Sequence, residues 1–248
     1  MKLIVCINHV PDTTTKINIA ADGLSIEKTG VTFIINPYDE IAVEECLRWK
    51  EKHGGEVIAL TLGGDVHKET LRKALAMGVD KAVLLKDDSK RDTFSVARAL
   101  ADYIKEQAPD AVFFGKQSID SDEAAVGQMV AEMLGLPSVS VAVKIEVAEG
   151  TATVQREVEG GHETVRAKLP CVFTAQKGLN EPRYPSLKGI MGAKSKPIEE
   201  RIPAPPTNKS EMLTIYKPAP KAAGRIVGTD ASAVPELVRL LHEEAKVV

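Results

Sequence analysis

Val57-Ile58-Ala59-Leu60-Thr61-Leu62-Gly63-Gly64 is an apolar, β-rich run that stops at a glycine pair, and its reading decides how the rest of the chain folds. A helix-patterned segment follows at residues 67–77, Gly78 closes it, and a second apolar run stands at residues 82–85. Strand, helix, strand in that order is a parallel crossover unit, because parallel neighbours need a connection long enough to cross one face of the sheet. The alternation extends in both directions: β-rich runs at residues 3–7, 31–35, 111–114 and 171–174, and helix-patterned segments at 38–50, 93–107 and 123–134. The expectation is an α/β fold, a doubly wound, mostly parallel, Rossmann-like sheet with helices on both faces.

Punctuation residues support these boundaries. Asn36 stands as an N-cap before Pro37, Asp92 precedes Thr93, and Gly135 follows Leu134. Residues 143–168 alternate around the turns Glu149-Gly150 and Glu159-Gly160-Gly161, which predicts an antiparallel extension of the same sheet. Beyond Ala193 the prolines at 197, 203, 205, 206, 218 and 220 predict an extended C-terminal arm without regular structure. It ends in an amphipathic helix at residues 234–247, striped with Leu237, Val238, Leu240 and Leu241. The organisation expected is one α/β domain at 1–195, including a contact loop at 176–194, then an arm at 196–248.

At 248 residues, 44% hydrophobic, 27% charged and a formal net charge of -3, the chain has the material for a core and no polyanion-binding signature. Nucleic acid is not an expected partner, and Lys188, Lys194 and Lys196 form only a modest local cluster. No apolar run approaches the roughly 18 residues of a membrane span, and the apolar start is too short for a signal peptide, so a cytoplasmic location without membrane insertion is expected. Cys6, Cys46 and Cys171 are odd in number, scattered and set among apolar neighbours, as buried free thiols are. The five histidines show no zinc spacing, and no nucleophile constellation is readable, so neither a metal nor a protein-based catalytic residue is expected.

Three segments carry chemistry. Gly63-Gly64, between strand and helix, reads either as a plain tight turn or as a close backbone approach to a phosphate. Asp120-Ser121-Asp122-Glu123-Ala124-Ala125-Val126-Gly127-Gln128-Met129 opens a helix with small residues where a ligand has room, and Gln128 offers an amide; its acidic residues read as helix caps rather than a metal or acid-base pair. Residues 179–191 show neither helical nor strand period; two prolines stiffen them, and Arg183, Tyr184, Leu187, Ile190 and Met191 are interface-anchoring types, although an ordinary connection has the same composition.

Longer matches narrow the choice. Asn36-Pro37-Tyr38-Asp39-Glu40-Ile41-Ala42-Val43-Glu44-Glu45, Gly115-Lys116-Gln117-Ser118-Ile119-Asp120, Val154-Gln155-Arg156-Glu157-Val158-Glu159-Gly160-Gly161 and Asn180-Glu181-Pro182-Arg183-Tyr184 together resemble the signature of the β subunit of electron transfer flavoproteins. The resemblance covers residues 1 to roughly 200 and implies an adenine-nucleotide-binding sheet. It further implies a heterodimer with an α subunit that holds most of one FAD, and a C-terminal arm wrapped on that subunit. Electrons would pass from flavoprotein dehydrogenases, such as acyl-CoA dehydrogenases, to a membrane quinone oxidoreductase or other acceptor; the chain is then an electron carrier subunit and not an enzyme in its own right.

By the same resemblance, AMP is bound through Cys6, Asn36, Pro37, Tyr38, Asp39, Leu62, Gly63 and residues 122–129, with Tyr38 facing the flavin or serving as a core aromatic. Leu187 enters a pocket of the dehydrogenase through the 176–194 loop, and Glu157 helps orient the flavin domain. The chain departs from AMP-binding members at Ala124, Ala125 and Val126, where those carry polar side chains, so backbone amides or Gln128 would contact the phosphate. Val10-Pro11-Asp12-Thr13 resembles the electron-bifurcating branch, in which a second FAD replaces AMP; Gly127-Gln128-Met129 and residues 180–187 resemble the other branch, and AMP is the reading adopted. A stand-alone adenine-nucleotide sensor is the rival from another class. An ATP-pyrophosphatase is rejected, because Asn8-His9-Val10-Pro11-Asp12 stands where its Ser-Gly-Gly loop belongs.

Overall fold

The computed structural model describes residues 1–221 and 223–248. Nine strands form the main sheet: β1 (Lys2–Cys6), β4 (Glu56–Gly63), β5 (Lys81–Lys86), β6 (Ala111–Gly115), β7 (Ser138–Ala148), β8 (Thr151–Val158), β9 (Gly161–Lys168), β10 (Cys171–Ala175) and β11 (Ile198–Arg201). Their order is β11-β5-β4-β1-β6-β10-β7-β8-β9, parallel from β11 to β7 and antiparallel from β7 to β9. The doubly wound sheet with an antiparallel extension is therefore the fold the sequence predicts. Helices α1 (Pro37–His53), α2 (His67–Met77), α3 (Thr93–Gln107) and α4 (Val126–Leu134) connect the strands.

Both faces of the sheet are apolar because both are covered. Leu3, Val5, Phe113 and Phe173 join one core cluster with Trp49 of α1 and Leu71 of α2. Ile4, Leu60, Val112 and Val172, which alternate with them along the strands, join a second cluster with Leu100 and Ile104 of α3 and Val130 of α4. Trp49 meets Phe113 edge-on at 5.2 Å, and its indole N–H donates to the buried Glu45 Oε1 at 3.0 Å.

Four details differ from the sequence reading. Strand β3 (Phe33–Ile35) does not enter the main sheet but pairs antiparallel with β2 (His9–Pro11), since both sides of β1 are taken by β4 and β6. Helix α4 begins at Val126, not at residue 123. Leu187–Ser195 is a helix, α5, inside the segment without readable period: it buries only Ala193 and so has no apolar stripe to detect. Finally, the sheet continues past residue 196, because β11 adds to β5 at the edge, where the preceding Pro197 costs no ladder bond.

Residues 204–210 are also tied down, on the N-terminal end of α3. The Asp92 carboxylate caps that helix by accepting from Ser95 N and also accepts from Ser210 N, both at 2.8 Å. Thr207 N donates to Ser95 Oγ at 3.0 Å, and Arg91 donates to Ala204 O at 2.6 Å. The chain divides into two compact units, Met1–Asn18 with Ile26–Leu213, and Ile19–Ser25 with Thr214–Val248. The smaller unit carries helix α6 (Val234–Leu240), which continues into one π-helical turn at Leu241–Ala245 and leaves Val234, Leu237 and Val238 exposed.

Helix α5 sits on α2 through Gly189, whose added Cβ would lie 2.4 Å from the Ala76 carbonyl oxygen. Arg72 of α2 donates to Ala193 O at 2.5 Å and to Lys196 O, and Lys196 Nζ donates to Val79 O at 2.9 Å. A methyl group at residue 189 must therefore push α5 off its seat. Gly189→Ala is expected to cost about 1–3 kcal/mol in urea unfolding, the usual penalty of overpacking; an unchanged midpoint and slope would show that α5 is not seated there.

Candidate functional site

From β1 the winding runs to β4 and β5 on one side and to β6 and β10 on the other, so the loops leaving the carboxyl ends of β1 and β6 diverge. The crevice between them is floored by Asp39, in the first turn of α1. Its buried carboxylate accepts from Asn8 N, just past β1, and from Gly115 N, at the end of β6, each at 2.8 Å. Gly115 has to be glycine, since a Cβ would stand 2.4 Å from Asp39 Oδ1 and 2.6 Å from Tyr38 Cβ. Burial pushes the Asp39 carboxyl up to about 7 against the donated hydrogen bonds, and Asp120 adds to the rise.

Around that floor the loops are stitched to one another. Asn36 occupies the N-cap position of α1, but its side chain does not cap the helix; it donates to Gln117 O at 2.8 Å and accepts from Ile119 N at 3.2 Å. Asn8 Nδ2 donates to Ser118 Oγ at 2.8 Å. Asn8, Lys116, Gln117 and Ser118 thus belong to the site although the sequence reading singled out none of them individually; their position just past strand ends was the available signal. Pro37 starts α1, Tyr38 is half-buried beside the crevice, and the Cys6 thiol is buried at the end of β1 with its pKa pushed up by burial and by Asp39.

The structure brings only part of the remaining candidate set to this crevice. Leu62 and Gly63 end β4, the neighbour of β1, but a Cβ on Gly63 would fall 2.2 Å from the His67 imidazole, and one on Gly64 would fall 1.9 Å from Asp88 Oδ1. Close packing therefore accounts for the glycine pair. His67 is 4.9 Å from His9, which stacks on Phe33 at 4.5 Å; burial lowers both histidines, His9 to about 4, so both rings are neutral near pH 7. Gly127 lies buried where a Cβ would meet Thr174 at 3.0 Å and Phe114 at 3.3 Å, and Val126 and Met129 pack on the second core cluster. Those positions hold the helix to the sheet rather than leaving open room.

Two features at the start of α4 remain open to a ligand. Its N-cap, Ala125, supplies no side-chain cap, and the buried Gln128 Oε1 has no hydrogen-bond partner. Asp120 and Asp122 do not cap the helix as expected: Asp120 accepts from Ser118, and Asp122, in a left-handed conformation, accepts from Gln117 Nε2 at 2.7 Å. Glu123 accepts from Thr93 of α3, and Ala124 is exposed. Among the described residues no group of three or more His, Cys, Asp or Glu side chains could hold a metal, and the three cysteines are buried and free.

The 179–191 segment divides into an anchor and a face. Asn180 Nδ2 donates to Ile41 O and to Glu45, and Arg183 grips Glu44 from Nε at 2.7 Å and from Nη2 at 3.1 Å while also pairing with Glu51. Burial acts to raise the Glu44 carboxyl, but the hydrogen bonds from Arg183 and Arg48 outweigh it and hold it low. Arg183 is thus engaged within the chain. Tyr184, Leu187 and Met191 are 96%, 83% and 74% exposed, with Ile190 at 43%. Glu157, at the end of β8, accepts from Gln176 Nε2 at 2.6 Å.

The chain is a doubly wound α/β sheet whose candidate site lies at the switch point of the strand order. Residues 23–206 match the electron transfer flavoprotein domain family. The chain is 41% identical to the electron transfer flavoprotein subunit beta of Bacillus subtilis (strain 168), covering the whole of both chains. It is also 41% identical to that of Syntrophomonas wolfei, over 90% of this chain and 88% of the relative, and 38% identical to the mitochondrial subunit beta of Arabidopsis thaliana over all of both. The chain belongs to the electron transfer flavoprotein family, as the sequence motifs led one to expect. No helix among the described residues is long and apolar enough to cross a membrane.

Asp39 gives the site a pH dependence whose sign follows from its folded value of about 7, above the ordinary 3.8. Between these values the unfolded chain releases the proton and the folded one keeps it, so this group's stabilisation is complete at low pH and is lost as pH rises through about 7. Asp39→Asn removes the titration. Its unfolding free energy should gain on that of the parent by up to about 4 kcal/mol between pH about 4 and about 8; urea curves showing a constant difference would contradict a raised carboxyl.

Proposed function

We propose that this chain is the β subunit of a heterodimeric electron transfer flavoprotein, in which an α subunit holds most of one FAD and this chain contributes part of its surroundings, a structural AMP and the docking face for the electron donor. The flavin supplies the redox chemistry when bound; this chain binds, orients and presents it. Full-length similarity to subunits of that name supports the assignment, and the observation that carries the docking role is the exposed apolar face of α5. A face of three large side chains in the open marks an interaction surface, and a small, rigidly seated one suits a brief encounter with quick release.

Under this reading the residues at the carboxyl ends of β1, β4 and β6 take the nucleotide. Backbone N–H groups at the uncapped start of α4 meet its phosphate, and Gln128, whose buried Oε1 has no partner, stands in the first turn of the same helix. Asn36 and Asp39 set the loop positions, and Tyr38 lies against the flavin. The exposed apolar residues of α6 and of the 196–248 arm, among them Leu213, Tyr216 and Ile226, are covered by the α subunit. Electrons come from flavoprotein dehydrogenases that dock on Leu187, Ile190 and Met191, and pass to a membrane quinone oxidoreductase or another acceptor.

Co-expression with an α subunit should yield a heterodimer that releases one FAD and one AMP on denaturation. Two FAD and no AMP would replace this reading with the electron-bifurcating one, and a colourless monomer that carries a nucleotide alone would replace it with a nucleotide sensor. Leu187→Ala should leave flavin content and thermal unfolding unchanged while lowering electron transfer at limiting dehydrogenase about tenfold, the effect of roughly 1.4 kcal/mol of lost contact. Unaltered transfer kinetics would remove the docking role from α5.

A further inference from the structure

We infer that Lys116 sets the charge environment of the flavin: its ammonium, held on the face of Tyr38, favours the electron-loaded form of the ring over the oxidised one. This rests on the proposal that the flavin lies against Tyr38. Lys116 Nζ stands 5.0 Å from the Tyr38 ring centroid, and no ion pair among the described residues includes it. Two other lysines at this end of the sheet behave differently. Lys68 and Lys86, at the start of α2 and the end of β5, are both neutralised by Asp65 and Glu200. Lys116 is left as an uncompensated cation beside the crevice.

The root of the side chain is fixed on both sides. Lys116 N donates to Ala175 O at 2.9 Å, and the preceding Gly115 N is held by Asp39 Oδ1 at 2.8 Å. The aromatic face then holds the free end of the lysine, because a cation is attracted to the negative face of the ring. The root of the Tyr38 side chain is placed by the same residue, since its Cβ is packed where Gly115 has no side chain. A lysine of this kind is ordered before any ligand arrives, so its charge acts without reorganisation. When an electron enters the flavin from the donor, one negative charge appears on the ring, no bond forms to Lys116, and the ammonium keeps its proton. In a site partly closed to water such a charge is felt strongly, because Coulomb attraction grows as the effective dielectric falls.

The test is spectroelectrochemical titration of the flavin in the purified heterodimer. Lys116→Gln should lower the ratio of reduced to oxidised flavin at a fixed potential about tenfold, equivalent to about 59 mV for the first one-electron step. Lys116→Arg, which keeps charge and aromatic contact, should retain the parent value. Equal potentials for K116Q and the flavin-loaded parent would overturn the inference alone, and so would a K116R shift as large as that of K116Q, which would assign the effect to shape. Loss of flavin from K116Q but not from K116R supports the charge role; loss from both overturns it. A parent heterodimer without flavin would overturn the proposed function, and this inference with it.

Discussion

One buried carboxylate joins three parts of the chain that are far apart in sequence. Asp39, on the first turn of α1, accepts hydrogen bonds from the residue that leaves β1 and from the last residue of β6. Without it, two backbone N–H groups at the switch point of the sheet would need other partners, and unpaired buried donors cost about 1–3 kcal/mol each. The contact also fixes Gly115 as glycine and places Tyr38 and Lys116 side by side. The crevice is therefore shaped from below by a group that a ligand does not have to touch, and the cost of burying that group appears as its raised pKa.

The α5 region shows a second division of labour. Its inner contacts are unusually committed: Gly189 against Ala76, Arg72 on the closing carbonyls, Arg183 on Glu44, and Asn180 on Glu45. Its outer face is left to solvent. A rigid base under a small apolar face lets a partner bind without ordering a loop first, which lowers the entropic cost of each encounter. Helix α2 supports this arrangement at one end and closes over Gly63 with His67 at the other, so the same helix packs against the end of β4 and under the exposed apolar face of α5.

Much of the fold was legible because it depends on local patterns. Apolar runs of strand length, the glycines at 78 and 135 and the cap at Asp92 each act within a few residues, and the elements they bound lie where the sequence places them. What was misread depends on distant partners. Asn36 looks like a cap, yet its amide is drawn to residues 117 and 119; Asp120 and Asp122 look like caps, yet they bond to Ser118 and Gln117. Gly63 and Gly127 suggested room for a ligand, whereas side chains from other elements fill that room. Helix α5 was invisible because a helix that buries one residue writes no period into the sequence.

By itself, then, the sequence determined the order and type of the main elements, the wholly apolar strands that demand a sheet covered on both faces, and the family motifs. Hydrophobic periodicity and backbone preference are properties of neighbouring residues, so they can be read along the chain. Only the tertiary structure decided that Arg183 is an internal anchor while Leu187 and Met191 face outward, that Asp39 holds the floor of the crevice, and that Lys116 rests on Tyr38 without a carboxylate. Each of those depends on which groups, tens of residues apart or more, come within about 3–5 Å of one another, where hydrogen-bond and Coulomb energies become decisive.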